Sequence, residues 1–490
     1  MKFITKTAAV IIALLMLAGA VACGEPEAPV DETTIAAQTT ADPGELTAEE
    51  TKLLPNLPDK KYDRDFIIAA GYVTETKYTS NLIVSDEING ELINDAVYTR
   101  AENIKERFGV EIQVMDISYT QIINATTGGE RPYDIGTATL SEIINVLTKG
   151  AAADLHTVES VDLEKPWWDQ NANDKFAVQD KLYYTFSDFF ITGIDNTRAC
   201  FFNKDLATDL NLGDLYALVD PGKWTIDVMQ EMCKQAFVDK DGNGKASQGD
   251  QVGVAEAATQ FYEAVITACD MEPTKQGADH LPYYPGNDDT ERFSEVYLHI
   301  LDLFTSDNSY LVIGNTDALN MFTSGSALFI LYTLTQCPAM RKNTELNFGI
   351  LPCPKYNEEQ ERYMNVSPNG DALFIIPGPT EDVEFSGVMC EAAAYYSSSY
   401  YSDSALMPAY FDLCLTTRNA PDVDSSKNLQ IIHDNIAYTS KILGTTYMQA
   451  IYDNFASENR GIATLLARLN KANVPNIKNI LAPLGVVIED

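Results

Sequence analysis

The sequence predicts an α/β fold, and two observations carry this prediction. An apolar run at residues 65–70 is followed by apolar residues at helical spacing across 93–108, and then by an alternating run at 110–114. Strand, helix and strand in this order are typical of parallel α/β units. Hydrophobic residues make up 45% and aromatic residues 10% of the 490 residues, which is enough apolar surface for a large core. The length favours roughly two to three domains or lobes.

The same alternation continues along the chain. The helix over 93–108 ends before Gly109, and a short strand at 134–135 precedes a helix that Ser141 can cap and that ends before Gly150. Further strands are predicted at 181–186, 199–202, 251–255, 327–331, 347–351 and 371–376, with helices at 225–237 and 290–304 and a mostly helical part at 382–481.

The charge of the chain excludes one class of partner. There are 71 acidic and 34 basic side chains, so the formal net charge is −37. A protein that binds the phosphate backbone needs clustered Lys and Arg, and a field of this sign repels DNA, RNA and anionic lipid headgroups. We therefore expect no nucleic-acid partner.

The first 22 residues have the pattern of a signal peptide. Lys2 and Lys6 precede a small and apolar run of 15 residues from Ala8 to Ala22, which is too short to span a bilayer. The run ends in Ala20-Val-Ala-Cys23, which resembles a bacterial lipobox, so Cys23 is expected to carry a lipid that anchors the protein to the outer face of a membrane. The alternative is an ordinary secretory signal.

Residues 23–61 are predicted to form a disordered acidic tether. From Gly24 to Lys61 there are nine acidic residues and no aromatic residue. Such a composition buries too little apolar surface to offset the entropy of ordering the chain. Beyond Cys23, seven cysteines are widely scattered without a C-x-x-C pair, which favours buried thiols over a disulfide framework or a zinc site.

The sequence contains none of the common catalytic motifs. The four His are far apart, and nucleophile-elbow, zinc-protease, P-loop and dinucleotide-binding patterns are missing. We therefore expect no enzyme. A carbohydrate-active hydrolase that uses paired carboxylates stays open as an alternative, because 71 acidic residues make some close pair inevitable.

A segment at 239–250 has the order of ligands of an EF-hand calcium loop. The side-chain oxygen donors at loop positions 1, 3, 5, 9 and 12 are Asp239, Asp241, Asn243, Ser247 and Asp250. Lys245 supplies the backbone carbonyl at position 7, and Gly244 stands where the sharp turn needs glycine. Because a strand is predicted after the loop, we expect a structural Ca²⁺ site rather than a regulatory pair of helices. The alternative is a polar turn without metal.

Two tryptophans form the second candidate site. Pro166-Trp167-Trp168-Asp169-Gln170 places two indoles beside a carboxylate and an amide. Adjacent residues of an extended chain point to opposite sides, so one ring is expected to face out and to stack on a sugar, with Trp168 favoured over Trp167. Asp169 would then accept hydrogen bonds from sugar hydroxyls. The alternative is that both rings lie in the core.

A series of short motifs resembles the lipid-anchored extracellular solute-binding proteins of ABC importers, in particular the large carbohydrate-type receptors of Gram-positive bacteria. These motifs are Asn89–Tyr98, Pro166–Asp169, Lys181–Tyr183, Phe202–Leu206, Tyr216–Val219, Gly222–Thr225, Phe348–Lys355 and Asp424–Ser426. Their order and spacing cover nearly all of the chain after the tether.

The resemblance implies a two-lobed type II periplasmic-binding-protein fold with crossing hinge strands at 183–202 and 365–376. Lobe 1 would comprise 62–190 plus about 370–415, and lobe 2 about 191–369 plus 416–490. A carbohydrate would bind in the cleft and pass to an ABC permease. Tyr332, Asn369 and Asp371 would form the wall opposite the tryptophans. A peptide or another polar solute is the alternative ligand, and a structural adhesin the alternative without a closing cleft.

Overall fold

Two β-sheets organise the part of the chain that the structure describes. The computed structural model describes residues 53–70, 83–128, 132–305, 311–312, 315–368, 371–375 and 383–486. The predicted signal peptide, Cys23 and most of the predicted tether lie outside these residues. Among the helices of the described residues, none is both long enough and apolar enough to cross a membrane.

The elements alternate as the sequence predicts. The strands are β1 (Phe66–Ala70), β2 (Ile112–Asp116), β3 (Ile135–Thr139), β4 (Arg198–Asn203), β5 (Val252–Glu256), β6 (Lys275–Gln276), β7 (Pro282–Tyr283), β8 (Leu311–Val312), β9 (Ala327–Thr333), β10 (Phe348–Leu351), β11 (Asn365–Ser367), β12 (Asp371–Ile375) and β13 (Ile436–Tyr438). The α-helices are Leu92–Phe108, Tyr119–Gly128, Ile143–Leu147, Gln170–Phe176, Thr192–Asp195, Lys204–Asp209, Ile226–Ala236, Ala258–Ala268, Asn287–Phe304, Asn315–Thr323, Cys337–Lys342, Val383–Ser397, Leu406–Pro408, Val423–Asp434, Thr445–Ala456, Ile462–Asn473 and Ile477–Leu481, and a π-helix spans Ala409–Asn419.

Each main sheet combines parallel strands with one strand of the opposite direction. The first sheet has the order β12-β3-β1-β2, in which β1 pairs in parallel with β2 and β3, and β12 pairs antiparallel to β3. The second has the order β10-β4-β9-β5-β8, in which β4 runs antiparallel to both neighbours. All residues of β4 and β5 are buried, as expected for strands covered on both faces. Two further pairs, β11 with β13 and β6 with β7, complete the strand pairing.

The two segments expected to cross between lobes pair with each other. The backbone N–H of Thr185 donates to Leu373 at 3.1 Å, and the N–H of Leu373 donates back to Thr185 at 2.9 Å. The predicted continuous strand at 181–186 is wrong, since its residues make isolated bridges with different partners. The boundaries expected for the two lobes stay a prediction.

Sequence patterns correctly predicted one helix C-terminus and one helix N-terminus. The helix Leu92–Phe108 ends at Gly109, which adopts φ 69° and donates its N–H to Lys105, and the hydroxyl of Thr225 caps the helix Ile226–Ala236. The expected Ser141 cap is wrong, because the next helix begins at Ile143 after Glu142 and has no side-chain cap. The prediction of buried thiols is confirmed, since all seven cysteines within the described residues are buried and free.

Helix Val383–Ser397 fixes the segment that carries the two tryptophans. Glu391 on this helix is fully buried and accepts the indole N–H of Trp167 at 3.0 Å on one oxygen and that of Trp168 at 2.8 Å on the other. The backbone N–H of Asp162 donates to the same carboxylate. Burial raises the pKa of Glu391 to about 7, and the indole hydrogen bonds oppose this shift.

The expectation that one tryptophan faces out is therefore wrong. Trp167 is 0% and Trp168 1% exposed. The backbone N–H of Trp168 donates to the carbonyl of Lys165, so the chain turns here and the alternation of an extended strand does not apply. Both indoles consequently reach one carboxylate.

We predict that Glu391→Gln destabilises the fold without unfolding it. A glutamine retains one acceptor oxygen but turns an amide N–H toward a donor, which leaves a buried N–H unpaired and costs about 1–3 kcal/mol. Chemical denaturation should show this loss, and the tryptophan emission of the native protein should shift to longer wavelength. An unchanged unfolding free energy would contradict the role of Glu391 as the common acceptor.

Candidate functional site

Four segments enclose a cavity of about 450 Å³, and they come from distant parts of the chain. Its lining residues lie within 166–171, 186–194, 399–412 and 430–438. The first two segments are held together by backbone hydrogen bonds, from Asp169 N–H to Phe186 at 3.1 Å and from Asp188 N–H to Trp167 at 2.9 Å. The tryptophan segment thus positions two carboxylates at the cavity.

Asp169 has a structural role at the edge of this cavity. One carboxylate oxygen accepts the backbone N–H of Ala172 at 2.9 Å and caps the helix Gln170–Phe176. The other accepts the hydroxyl of Tyr438 at 2.5 Å. Burial raises the pKa of Asp169, and these hydrogen bonds oppose that shift. The predicted acceptor of sugar hydroxyls is therefore already occupied on both oxygens.

Tyr438 is held in place by ring stacking and by a close approach of backbone. Its ring stacks on Phe186 with centroids 4.8 Å apart and an angle of 19° between the planes. A Cβ atom on Gly193 would lie 3.0 Å from the Tyr438 hydroxyl, so glycine gives this hydroxyl room. The stack forms an aromatic wall beside Asp169.

Asp188 is a carboxylate of the inner part of the cavity and has no protein partner among the described residues. Its side chain is half-buried, and no hydrogen bond or ion pair to it occurs within the described residues. Burial and then the negative charge of Asp169 raise the pKa of the Asp188 carboxyl well above its ordinary value. An acceptor of this kind is available to a ligand.

The rest of the lining of this cavity consists of both aromatic and polar side chains. Phe411 packs against His433 with ring centroids 4.6 Å apart, and Tyr400 lines the rim with 46% of its surface exposed. Gln430 and Asn171 add amide groups to the lining. Flat apolar faces beside hydroxyl-binding groups can pack on sugar C–H groups and bond to their hydroxyls.

The structure brings only part of the predicted site together. Trp168 and Asp169 line the cavity, whereas Trp167 packs behind it, with its ring 5.1 Å from that of Tyr395. Tyr332 pairs with Ala199 in the second sheet and is not among the lining residues. Asn369 and the side chain of Asp371 lie outside the described residues.

Sequence reasoning missed Asp188, Tyr400 and Tyr438. A signal existed for Tyr400, because it lies in the run Tyr395-Tyr-Ser-Ser-Ser-Tyr-Tyr401, which is rich in aromatic and hydroxyl groups. Tyr438 meets Asp169 across 269 positions of sequence, which no local pattern could indicate.

A second cavity of about 320 Å³ adjoins the first. Asn171, Ile436 and Tyr438 line both cavities and form their common wall. The second cavity differs in charge, because three cationic side chains line it together with three acids. These are Lys175, Lys275, Arg362, Asp174, Asp270 and Glu272.

The predicted calcium loop gathers its carboxylates. Oxygens of Asp239, Asp241 and Asp250 lie within 4.8 Å of one another. Asp239 accepts the backbone N–H groups of Gly242 and Gly244, and Asp250 accepts that of Ser247 at 2.7 Å. This set of oxygen donors fits the chemistry of Ca²⁺, a hard cation. The segment after the loop forms β5, as predicted, and not a second helix.

Comparisons with known proteins identify the fold. No family model matches the chain, and no curated protein matches it in sequence. The galacto-N-biose-/lacto-N-biose I-binding protein of the ABC transporter from Bifidobacterium longum, in complex with lacto-N-biose, has a TM-score of 0.55 at 13% identity, covering 87% of this chain and 98% of that chain. A cyclo/maltodextrin-binding protein complexed with maltotetraose also has a TM-score of 0.55 at 13% identity, covering 85% and 97%.

A family 1 extracellular solute-binding protein from Bifidobacterium longum subsp. infantis has a TM-score of 0.52 at 14% identity and covers 84% of this chain and 100% of that chain. At identities this low, the structural similarity shows a shared fold and no more. The predicted fold class is confirmed: the chain has the α/β, two-lobed type II periplasmic-binding-protein fold of the sugar-binding proteins of ABC transporters.

Proposed function

We propose that this protein is an extracellular receptor that binds a carbohydrate reversibly and delivers it to an ABC permease. The observation that carries the proposal is the cavity of about 450 Å³, where aromatic faces stand beside carboxylate and amide groups. The fold shared with sugar-binding proteins supports it. A peptide or another polar solute is the alternative ligand, and no contact in the cavity specifically favours it.

Reversible binding can drive closure of a two-lobed receptor when the ligand prefers the closed form. A ligand with micromolar affinity supplies about −8 kcal/mol. The part of this free energy that differs between open and closed forms shifts the equilibrium between them. The closed form would then present both lobes to the permease.

We propose no catalytic activity for the carboxylates Asp169 and Asp188. Asp169 caps a helix and accepts the Tyr438 hydroxyl, which ties it to the framework. The three solved structures compared above are binding proteins. Oligosaccharides incubated with the protein should be recovered intact, and hydrolysis products would favour the hydrolase alternative.

We predict that Tyr400→Ala weakens carbohydrate binding without affecting the ligand-free fold. Tyr400 stands at the rim, where loss of an aromatic contact costs about 1 kcal/mol, roughly fivefold in affinity. A thermal-shift screen against mono- and oligosaccharides would first identify ligands, because a ligand bound only to the native state raises the melting temperature. Calorimetric titration of the variant would then measure the loss.

Tyr401→Ala is the matched control. Tyr401 is the next residue and is 38% exposed, but it does not line the cavity. This variant should bind the ligand with unchanged affinity. Equal affinity of both variants would exclude Tyr400 from the binding site, and a screen without any saccharide ligand would reject the carbohydrate proposal.

We propose that a lipid on Cys23 anchors the receptor at the extracellular face of the membrane. Cys23→Ser should move the protein from the membrane fraction into the medium, because buried methylene groups contribute about 0.8 kcal/mol each to anchoring. Cys414→Ala is the control that keeps the predicted lipidation cysteine. A Cys23→Ser protein that still pellets with membranes would contradict the anchor.

We propose that the loop at 239–250 holds a structural Ca²⁺ ion through Asp239, Asp241, Asn243, Ser247 and Asp250 and the carbonyl of Lys245. Calcium about a hundredfold above its dissociation constant would add about 2.7 kcal/mol to the free energy of unfolding. We therefore predict that a chelator lowers the melting temperature and that Asp239→Ala abolishes this effect. Asp209→Ala, an exposed acid outside the loop, should keep it. Equal melting with calcium and with chelator would contradict the site.

A further inference from the structure

The charged side chains that line the first cavity are mainly acidic. Four aspartates line it, namely Asp169, Asp188, Asp412 and Asp434, and none of its described lining residues is Lys or Arg. The adjoining cavity, across the wall formed by Tyr438, is lined by Lys175, Lys275 and Arg362. Cationic side chains therefore stand beside the second cavity but not the first.

We infer that the ligand of the first cavity carries a protonated amine, as an amino sugar does, and that Asp188 is the carboxylate that pairs with it. This inference rests on the proposed carbohydrate function and names the chemical class of its ligand.

The hydrogen bonds around the two inner carboxylates single out Asp188. Asp169 accepts the Tyr438 hydroxyl at 2.5 Å and the Ala172 N–H at 2.9 Å, so its oxygens are engaged. Among the outer acids, Asp434 accepts from Gln430 at 2.8 Å and lies 3.1 Å from a ring nitrogen of His433, and Asp412 is exposed to solvent. Asp188 has no such partner among the described residues and faces the cavity.

Repulsion between carboxylates favours a cationic ligand over a neutral one. The negative charge of Asp169 adds to burial in raising the pKa of Asp188. With a neutral hydroxyl donor as the ligand, ionised Asp188 and Asp169 would leave two uncompensated negative charges in the cavity. An ammonium group would neutralise this repulsion, and a hydrogen bond between two charged groups is about twice as strong as a neutral one.

The aromatic side chains of the cavity can also bind an ammonium group. Trp168, Tyr400, Phe411 and Tyr438 line the cavity. The negative face of an aromatic ring attracts a cation within about 6 Å of its centre, most strongly where water is excluded. Rings and carboxylate together can therefore hold an amine-bearing sugar.

Binding of the amine should release a proton. Where Asp188 is protonated in the ligand-free protein, the ammonium group favours its ionised form, and the O–H proton passes to solvent. The other charged or titratable residues that line the cavity are Asp169, Tyr400, Asp412, His433, Asp434 and Tyr438. The binding enthalpy should then change with the ionisation enthalpy of the buffer.

The test compares amino sugars with their N-acetylated forms, in which the charge is lost and an acetyl group is added; Asp188→Asn then isolates the contribution of charge. Glucosamine, galactosamine, mannosamine and the β-1,4-linked glucosamine disaccharide would each be titrated beside the N-acetylated form, at a pH where the amine is protonated. The amine of any pair that binds should bind about tenfold more tightly. Asp188→Asn should bring the two affinities within about twofold, because the amide keeps an acceptor but removes the charge. Asp180→Asn, an exposed acid that does not line the cavity, should keep the preference.

The outcomes separate this inference from the proposed function. Equal or tighter binding of the N-acetylated forms, or a preference that survives Asp188→Asn, would overturn the inference and leave a neutral-sugar receptor. Failure of every amine and every neutral saccharide to bind would overturn the carbohydrate function and the inference together. A preference lost only in Asp188→Asn, with release of a proton, would support the assignment.

Discussion

The carboxylate of Glu391 accepts hydrogen bonds from two neighbouring indoles, and the candidate site depends on this contact. It ties helix Val383–Ser397 to a segment more than two hundred residues earlier in the chain. With both indoles fixed, Asp169 can begin the next helix and the backbone of Asp188 can bond to Trp167. The geometry of the cavity therefore depends on a polar contact inside the core.

Burying the Glu391 carboxylate costs desolvation free energy, and its hydrogen-bond partners offset this cost. Burial raises the pKa of Glu391 to about 7, because a charged group loses its hydration. Two indole N–H groups and a backbone N–H replace water as donors, and each indole would itself lack a partner without Glu391. Neither side is favourable alone in the core, so the three side chains form one structural unit.

Much of the fold follows from local patterns, whereas the site follows mainly from long-range contacts. Alternating strands and helices, the end of a helix at Gly109 and the cap at Thr225 could be predicted, since neighbouring residues determine them. The burial of both tryptophans could not, because it depends on a turn at Lys165 and on the distant Glu391. Asp188 lies in the aromatic-rich run Phe186-Ser-Asp-Phe-Phe190, but its chemistry appears only when Asp169 is placed beside it.

The same contacts determine which residues can tune ligand binding independently of folding. Asp169, Trp168 and Tyr438 are bound to other parts of the framework, so a change at any of them alters stability as well as the cavity. Tyr438 also lines both cavities, which differ in charge. Asp188 and the exposed Tyr400 have fewer ties within the described residues. Substitutions at these two positions can change which ligand charge and shape the cavity accepts while the fold stays intact. We therefore expect these two residues to determine ligand specificity.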